Sequence, residues 1–202
     1  MKKLSVLMPV YNESRTLRTI VKRVLNSPVA LEIELICVDD CSADDSLEIL
    51  SQLAAADPRI TVIAQPVNMG KGRAIRTAIE AMTGDVAIIQ DADLEYDPTD
   101  LPTLLDPIRL DKADAVYGSR FHGGPRRVLF FWHAVGNRFL TLLSNMLTDL
   151  NLTDVETCYK AIRTEIFKSI PIESHHFTIE PELTIKLARR DIKLYEVPIR
   201  YA

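Results

Sequence analysis

The sequence predicts an α/β domain with a doubly wound, mostly parallel sheet, and three observations carry that expectation. Strand-like and helix-like segments alternate five times without a break between Leu4 and Gly118, as they do where helices cross over a parallel sheet. Val86-Ala87-Ile88-Ile89 is apolar at every position and bounded by turn signals, which suits a strand buried on both faces. Successive strands end in polar clusters. In a parallel sheet those ends share one rim, where such sheets hold their ligands.

Leu4 to Val10 reads as the first strand and Asn12-Glu13-Ser14 as a helix start, with Leu17, Ile20, Val21, Val24 and Leu25 at helical spacing. Glu32 to Val38 is the second strand. Ser42 or Asp44 can cap the next helix, whose apolar face is Leu47, Leu50, Leu53 and Ala54. A third strand, Ile60 to Ala64, leads through Asn68-Met69-Gly70-Lys71-Gly72 to a helix with Ala74, Ile75, Ala78, Ile79 and Met82. After the fourth strand, Asp97-Pro98 begins a helix from about Thr99 to Leu110, and Ala113 to Gly118 is the fifth strand. The rhythm then changes. Gly123-Gly124-Pro125 marks a loop, and Arg126 to about Leu147 reads as one long helix. Lys160 to Arg163 is a short strand, and Thr164 to Ile170 and Glu180 to Arg190 are helical. Leu194 to Ile199 is expected at an edge, since it tolerates Pro198. No repeat, low-complexity tract or linker interrupts residues 1–202, so a single domain is expected.

At 202 residues, 47% hydrophobic and 26% charged, the chain can bury a sizeable core and is ordinary for a soluble globular protein. Its net charge of −4 gives no reason to expect nucleic acid as a partner. Cys37, Cys41 and Cys158 form no metal-ligand spacing and fit reduced thiols in a cytosolic setting. Met1-Lys2-Lys3-Leu4 runs straight into a strand and is too short for a signal peptide. With no apolar run near the roughly eighteen residues of a span, the chain is not expected to cross a membrane.

The fourth strand ends in Asp91-Ala92-Asp93-Leu94-Glu95. Alternate residues of an extended segment share a face, so Asp91, Asp93 and Glu95 can converge on one point. Carboxylates placed together repel unless a cation intervenes, and Mg²⁺ or Mn²⁺ bridging to a phosphorylated substrate suits such hard ligands. Acids that face water or cap the next helix would read the same way. The first three strands end in Pro9, Tyr11, Asn12 and Glu13, in Asp39 and Asp40, and in Asn68, Gly70, Lys71 and Gly72. Tyr11 can stack on a base, Asp40 can accept from a base or ribose, and Lys71 is a further donor-binding candidate. Gly70 and Gly72 let amides approach an anion at a helix start. Gly-x-Gly-x-x-Gly and Walker loops are absent, against a dinucleotide cofactor. Singly, each cluster also suits a turn or cap. Jointly they favour a nucleoside-diphosphate site.

Pro9-Val10-Tyr11-Asn12-Glu13, Val38-Asp39-Asp40-Cys41-Ser42, Asn68-Met69-Gly70-Lys71-Gly72 and Asp91-Ala92-Asp93 stand in an order and spacing that resembles the family 2 inverting glycosyltransferases. Tyr117-Gly118-Ser119-Arg120-Phe121 and Glu196-Val197-Pro198-Ile199 are similar to the polyprenyl-phosphate group within it, which includes the dolichol-phosphate mannosyltransferases. The resemblance implies a Rossmann-like GT-A fold, with a nucleotide-sugar half over 1–118 and a C-terminal acceptor-side extension over 119–202. It implies that Pro9, Tyr11, Glu13, Val38 and Asp40 hold the nucleotide and that Asp91 and Ala92 line the donor. Asp93 would bind the metal, with Glu95 as a second ligand, and Arg120 would serve the donor and acceptor phosphates. Asp91, Asp93 and Arg120 are then the catalytic candidates. The family pattern continues past the Val-Pro-Ile strand into a loop with further Arg and Lys residues, beyond the last residue here, Ala202. The stretch around His175-His176 also lacks a lysine common in related proteins.

The acceptor side has its own signal. Ala115 to Thr148 contains no Asp or Glu but carries Arg120, Arg126, Arg127 and Arg138, a local basic field suited to an acceptor phosphate. The long helix is apolar at Val128, Phe131, Trp132, Val135, Phe139, Leu142, Leu143 and Met146, widened by Leu129, Phe130 and Leu147. His133, Asn137, Thr141 and Asn145 form a narrow polar stripe. So broadly apolar a helix is buried in protein or faces lipid. Aromatics beside arginines are typical of an interfacial helix, and a core helix with a solvated arginine end is the alternative.

A lipid monophosphate is already anionic, whereas a sugar hydroxyl needs a base, for which Asp154 is the candidate. The expectation is a Mg²⁺- or Mn²⁺-dependent, inverting transfer of sugar from a nucleotide-diphosphate-sugar to a polyprenyl phosphate. The protein would be peripheral on the cytoplasmic face of the membrane, with a second copy or a membrane-anchoring protein as further partner. Two alternatives stay open: a transferase acting on a saccharide hydroxyl in cell-wall or polysaccharide synthesis, and a weakly active nucleotide-sugar-binding module. A sugar nucleotidyltransferase would need a glycine-rich N-terminal loop that is absent.

Overall fold

Apolar strands interleaved with amphipathic helices can bury both only by layering helices over a sheet. The computed structural model, which describes residues 1–121, 131–174 and 178–201, has that architecture. Its strands are β1 (Lys3–Val10), β2 (Glu32–Asp39), β3 (Ile60–Ala64), β4 (Val86–Ile89), β5 (Ala115–Ser119), β6 (Lys160–Arg163) and β7 (Leu194–Pro198). The helices are α1 (Leu17–Leu25), α2 (Ser46–Ala56), α3 (Lys71–Ala81), α4 (Leu101–Arg109), α5 (Phe131–Thr148), α6 (Thr164–Lys168) and α7 (Ile179–Ala188). The strands make one sheet in the order β3-β2-β1-β4-β6-β5-β7, so both halves of the chain contribute to it.

Leu4, Ser5, Val6, Leu7 and Met8 of β1 are buried without a break, so helices cover both faces of the sheet. α1 buries Leu17, Ile20, Val21 and Val24. α3 packs on β1 and β2 through Ala74, Ile75, Ala78 and Ile79, the alanines letting it lie close and the isoleucines filling the interface. Two local expectations shift. Leu47 is exposed rather than part of the buried face of α2. The helix after Asp97-Pro98 opens as a 3-10 turn over Pro98–Asp100, with the Asp97 side chain accepting from Thr99 N at 3.0 Å. Gly84 makes the turn into β4 possible: a Cβ there would meet Ser5 Oγ at 2.6 Å and Lys3 O at 2.9 Å.

The larger departure is β6. It lies antiparallel between β4 and β5, which the alternating pattern would have made neighbours. The reason is where the chain waits. β5 delivers it to the carboxyl rim and β6 re-enters the sheet from that rim, so β6 can only run the other way. This arrangement brings the 149–159 segment to the rim as well. β7 pairs with β5 alone, at the edge that Pro198 led one to expect, and leads Ile199 to Tyr201 back towards the same rim. Tyr201 there bridges Tyr96.

Candidate functional site

The ends of β1, β2 and β4 and the start of α3 enclose a cleft of about 410 Å³, within the range of small-molecule sites. Pro9, Tyr11, Glu13, Asp40, Lys71, Asp91, Ala92 and Asp93 line it together, as their strand-end positions require. Val38 does not. It is fully buried in the core, one step before the strand's exit, so its side chain is unavailable to a ligand.

The cleft's loops are fastened by side chains. Tyr11 is half exposed at the mouth, and its turn has Asn12 at a φ of 57°, a conformation asparagine tolerates. Asn12 N donates to Ser42 Oγ at 3.0 Å, Glu13 N to Ser46 Oγ at 2.8 Å, and Ala43 N to Asn12 Oδ1 at 2.7 Å. Asp40 is buried, and its carboxylate accepts from Met69 N at 2.8 Å, Gly70 N at 2.7 Å and Gln65 Nε2 at 3.0 Å. It therefore pins the loop before α3 from a position that also lines the cleft. Gly70, with a φ of 85°, supplies the left-handed residue that starts the helix.

Lys71 reaches across the cleft to Asp91 Oδ1 at 2.8 Å and to Glu180 Oε1 on α7 at 2.9 Å. Burial works against its charge, but the carboxylates of Asp91 and Glu180 more than restore it, and its pKa stands well above the ordinary value. The role of Glu180 was not legible in the sequence, because an acid in a first helical turn is commonplace. Asp93 behaves oppositely. Burial, reinforced by repulsion from Asp91, Glu95 and Glu13, pushes its carboxyl up to about 6. Glu95 is exposed and accepts from Tyr201 Oη at 2.7 Å. Among the described residues no three His, Cys, Asp or Glu side chains gather closely enough to hold an ion. The donor set still fits a divalent cation in kind, since crowded hard oxygens at Asp93 lose their mutual repulsion when one binds.

At the end of β5, Arg120 forms a bidentate pair with Asp154, Nε to Oδ2 at 2.7 Å and Nη2 to Oδ1 at 2.8 Å. Its guanidinium lies 5.2 Å from the Tyr201 ring centroid and 5.9 Å from that of Phe121. Burial opposes the charge, and the bonds to Asp154 outweigh it and raise the pKa. Asp154 has no exposed surface, and both its oxygens are engaged. It is therefore no base for an incoming hydroxyl, and the saccharide-hydroxyl alternative loses its candidate.

α5 is turned inside out. Thr141 and Ser144 are its buried residues, whereas Phe131, Trp132, Val135, Phe139, Leu140, Leu142, Leu143, Met146 and Leu147 are exposed. The core-helix alternative fails on that observation. Arg138 is exposed on this helix. Arg126, Arg127, the start of the long helix and the stretch at His175-His176 lie outside the described residues. Among the described residues no helix is long and apolar enough to cross a membrane.

Residues 5–170 match the model of the glycosyl transferase family 2. The chain belongs to that family. Over 98% of its length it is 27% identical to a dolichol-phosphate mannosyltransferase of Pyrococcus furiosus, covering 56% of that protein. It is 30% identical to an undecaprenyl-phosphate mannosyltransferase of Micrococcus luteus, over 96% of this chain and 82% of the relative. It spans only 32% of the glycosyltransferase AglD of Haloferax volcanii, at 29% identity over 96% of its own length. Among solved structures it superposes with a TM-score of 0.74 on glucosyl-3-phosphoglycerate synthase from Mycobacterium tuberculosis, crystallised with Mn²⁺, UDP and phosphoglyceric acid. Identity there is 20%, over 99% of this chain and 69% of that one, so the likeness speaks for the fold. The fold of this family 2 member is the GT-A fold.

Proposed function

We propose that the chain moves a sugar from a nucleoside-diphosphate sugar to a polyprenyl phosphate, with inversion at the anomeric carbon, while seated on the cytoplasmic face of a membrane. The observation that carries this reading is the pairing of an oriented, rim-facing arginine, Arg120, with a helix whose apolar face is turned outward. A phosphate on a long hydrocarbon tail needs both. The names of the Pyrococcus and Micrococcus relatives support the same acceptor class.

In this reading the cleft holds the nucleotide, with Tyr11 stacking on the base and Glu13 beside it. Lys71 and Glu180 orient Asp91 towards the donor sugar. Asp93 and Glu95 would hold a Mg²⁺ or Mn²⁺ ion, which when bound supplies countercharge to the diphosphate. Arg120, assisted by Arg126, Arg127 and Arg138, holds the acceptor phosphate behind the anomeric carbon. The acceptor is already anionic, so the transfer needs no protein base, in keeping with the buried position of Asp154.

A donor panel of GDP-mannose, UDP-glucose and UDP-GlcNAc with undecaprenyl phosphate and Mn²⁺ tests it. Transfer to the lipid is expected with one donor, falling about 100-fold or more in Asp93→Ala. Donor binding with no transfer under any condition would mean that the chain is a nucleotide-sugar-binding module.

A further inference from the structure

Three side chains at successive turns of α5 face inward and hold the short segment before β6. Asn145 bonds Leu152 twice, Nδ2 to the carbonyl at 2.8 Å and Oδ1 from the amide at 3.1 Å. Thr141 Oγ1 accepts from Val155 N at 3.3 Å and donates to Asn137 Oδ1 at 3.1 Å. Asn137 Nδ2 donates to Asp154 Oδ1 at 3.2 Å, the oxygen that Arg120 Nη2 also holds. From β7, Glu196 accepts from Thr153 N at 2.9 Å and Asp154 N at 3.1 Å.

We infer that Asn137 is a positioning residue that fixes Arg120 for the acceptor phosphate by locking the Asp154 carboxylate from α5. The inference rests on the reading of Arg120 given above. A buried Asp–Arg pair is costly to desolvate, and apolar residues would hold this junction at less expense. What the pair provides is orientation, because a fork–fork contact sets the guanidinium plane. That plane stays set only while the carboxylate cannot turn. Arg120 grips one edge of Asp154, and the asparagine occupies the remaining site on Oδ1. Asn137 lies on the inward face of the same helix whose outward face is apolar. The seating of α5 is thereby passed to the arginine through Asn137 and Asp154.

The test uses farnesyl phosphate, a short polyprenyl monophosphate, and farnesol, its neutral counterpart, titrated calorimetrically into the full chain without donor. The expected results are a loss of about tenfold in farnesyl phosphate affinity for Arg120→Ala and a similar loss for Asn137→Ala. The double variant should be no weaker than Arg120→Ala alone, and farnesol binding should be equal throughout. Asn137→Leu, which fills the space without donating, should reproduce Asn137→Ala and guards against a packing defect. Equal loss of farnesol and farnesyl phosphate binding, or losses that multiply in the double variant, would overturn the positioning role. A wild type that prefers the phosphate ester no more than farnesol, or an Arg120→Ala protein that binds it normally, would instead overturn the acceptor reading beneath it.

Discussion

α3 and α5 belong to one domain and bury opposite kinds of residue. α3 turns Ala74, Ile75, Ala78 and Ile79 onto β1 and β2 and leaves Glu80 in water. α5 turns Thr141 and Ser144 inward and leaves Trp132 76% exposed, Met146 73% and Leu147 78%. The hydrophobic effect rewards removal of apolar surface from water, not its placement in protein as such. A helix can meet that demand against the sheet or against another apolar medium. An apolar face this broad, left uncovered on a soluble monomer, is what marks an interaction surface. α3 is thus built to cover the sheet, and α5 presents an apolar face that nothing among the described residues covers.

The sharpest way to break this comparison is to put the same charge on both helices. Ile75→Glu strands a carboxylate in the core and should cost about 4 kcal/mol or more, seen as loss of cooperative unfolding or of soluble protein. Met146→Glu together with Leu147→Glu should leave Tm within about 2 °C, since neither position loses burial. The same pair should weaken flotation with anionic vesicles at least about tenfold. If the pair instead destabilises the protein as Ile75→Glu does, α5 is packed in solution and the contrast disappears.

A smaller effect probes the inward face. Thr141→Val keeps shape but removes the oxygen that receives Val155 N and the hydroxyl that Asn137 accepts. Chemical denaturation should register a loss of about 1–2 kcal/mol. An apolar residue on the buried side of α5 would then be destabilising, the reverse of α3.

The smallest effect is a pH dependence centred on Glu34 of β2. At the amino rim Glu34 takes hydrogen bonds from Lys3, Ser5 and Thr83; burial alone would raise its carboxyl, and these bonds instead hold it at about 2. A folded-state pKa below the unfolded value of 4.5 means this stability is complete above pH 4.5 and is lost as pH falls towards 2. Glu34→Gln should therefore flatten the acid limb of a Tm-against-pH curve. An unchanged limb would place the acid sensitivity elsewhere, with Glu182 on α7 as the next suspect: burial would raise its carboxyl, but bonds from Lys186 and Ser174 hold it at about 2.

The amino-acid sequence by itself determined the alternation of β1 to β5 with their helices, because apolar period and turn chemistry are local properties. It also determined that Pro9, Tyr11, Asp40, Lys71 and the Asp91-Ala92-Asp93 run share one rim, since parallel strands bring their ends together whatever their length. The breadth of the apolar face on α5 was equally plain. Which way that face points was not: a period shows that a helix has two sides, and only its neighbours decide which side is covered. The antiparallel entry of β6, the salt bridges of Lys71 to Asp91 and Glu180, the contacts of Arg120 with Asp154 and Tyr201, and the bond from Asn137 to Asp154 were decided by tertiary structure. Each joins residues far apart in the chain. Contacts of that kind depend on where strands pair and where segments wait between them, which no local pattern of residues encodes.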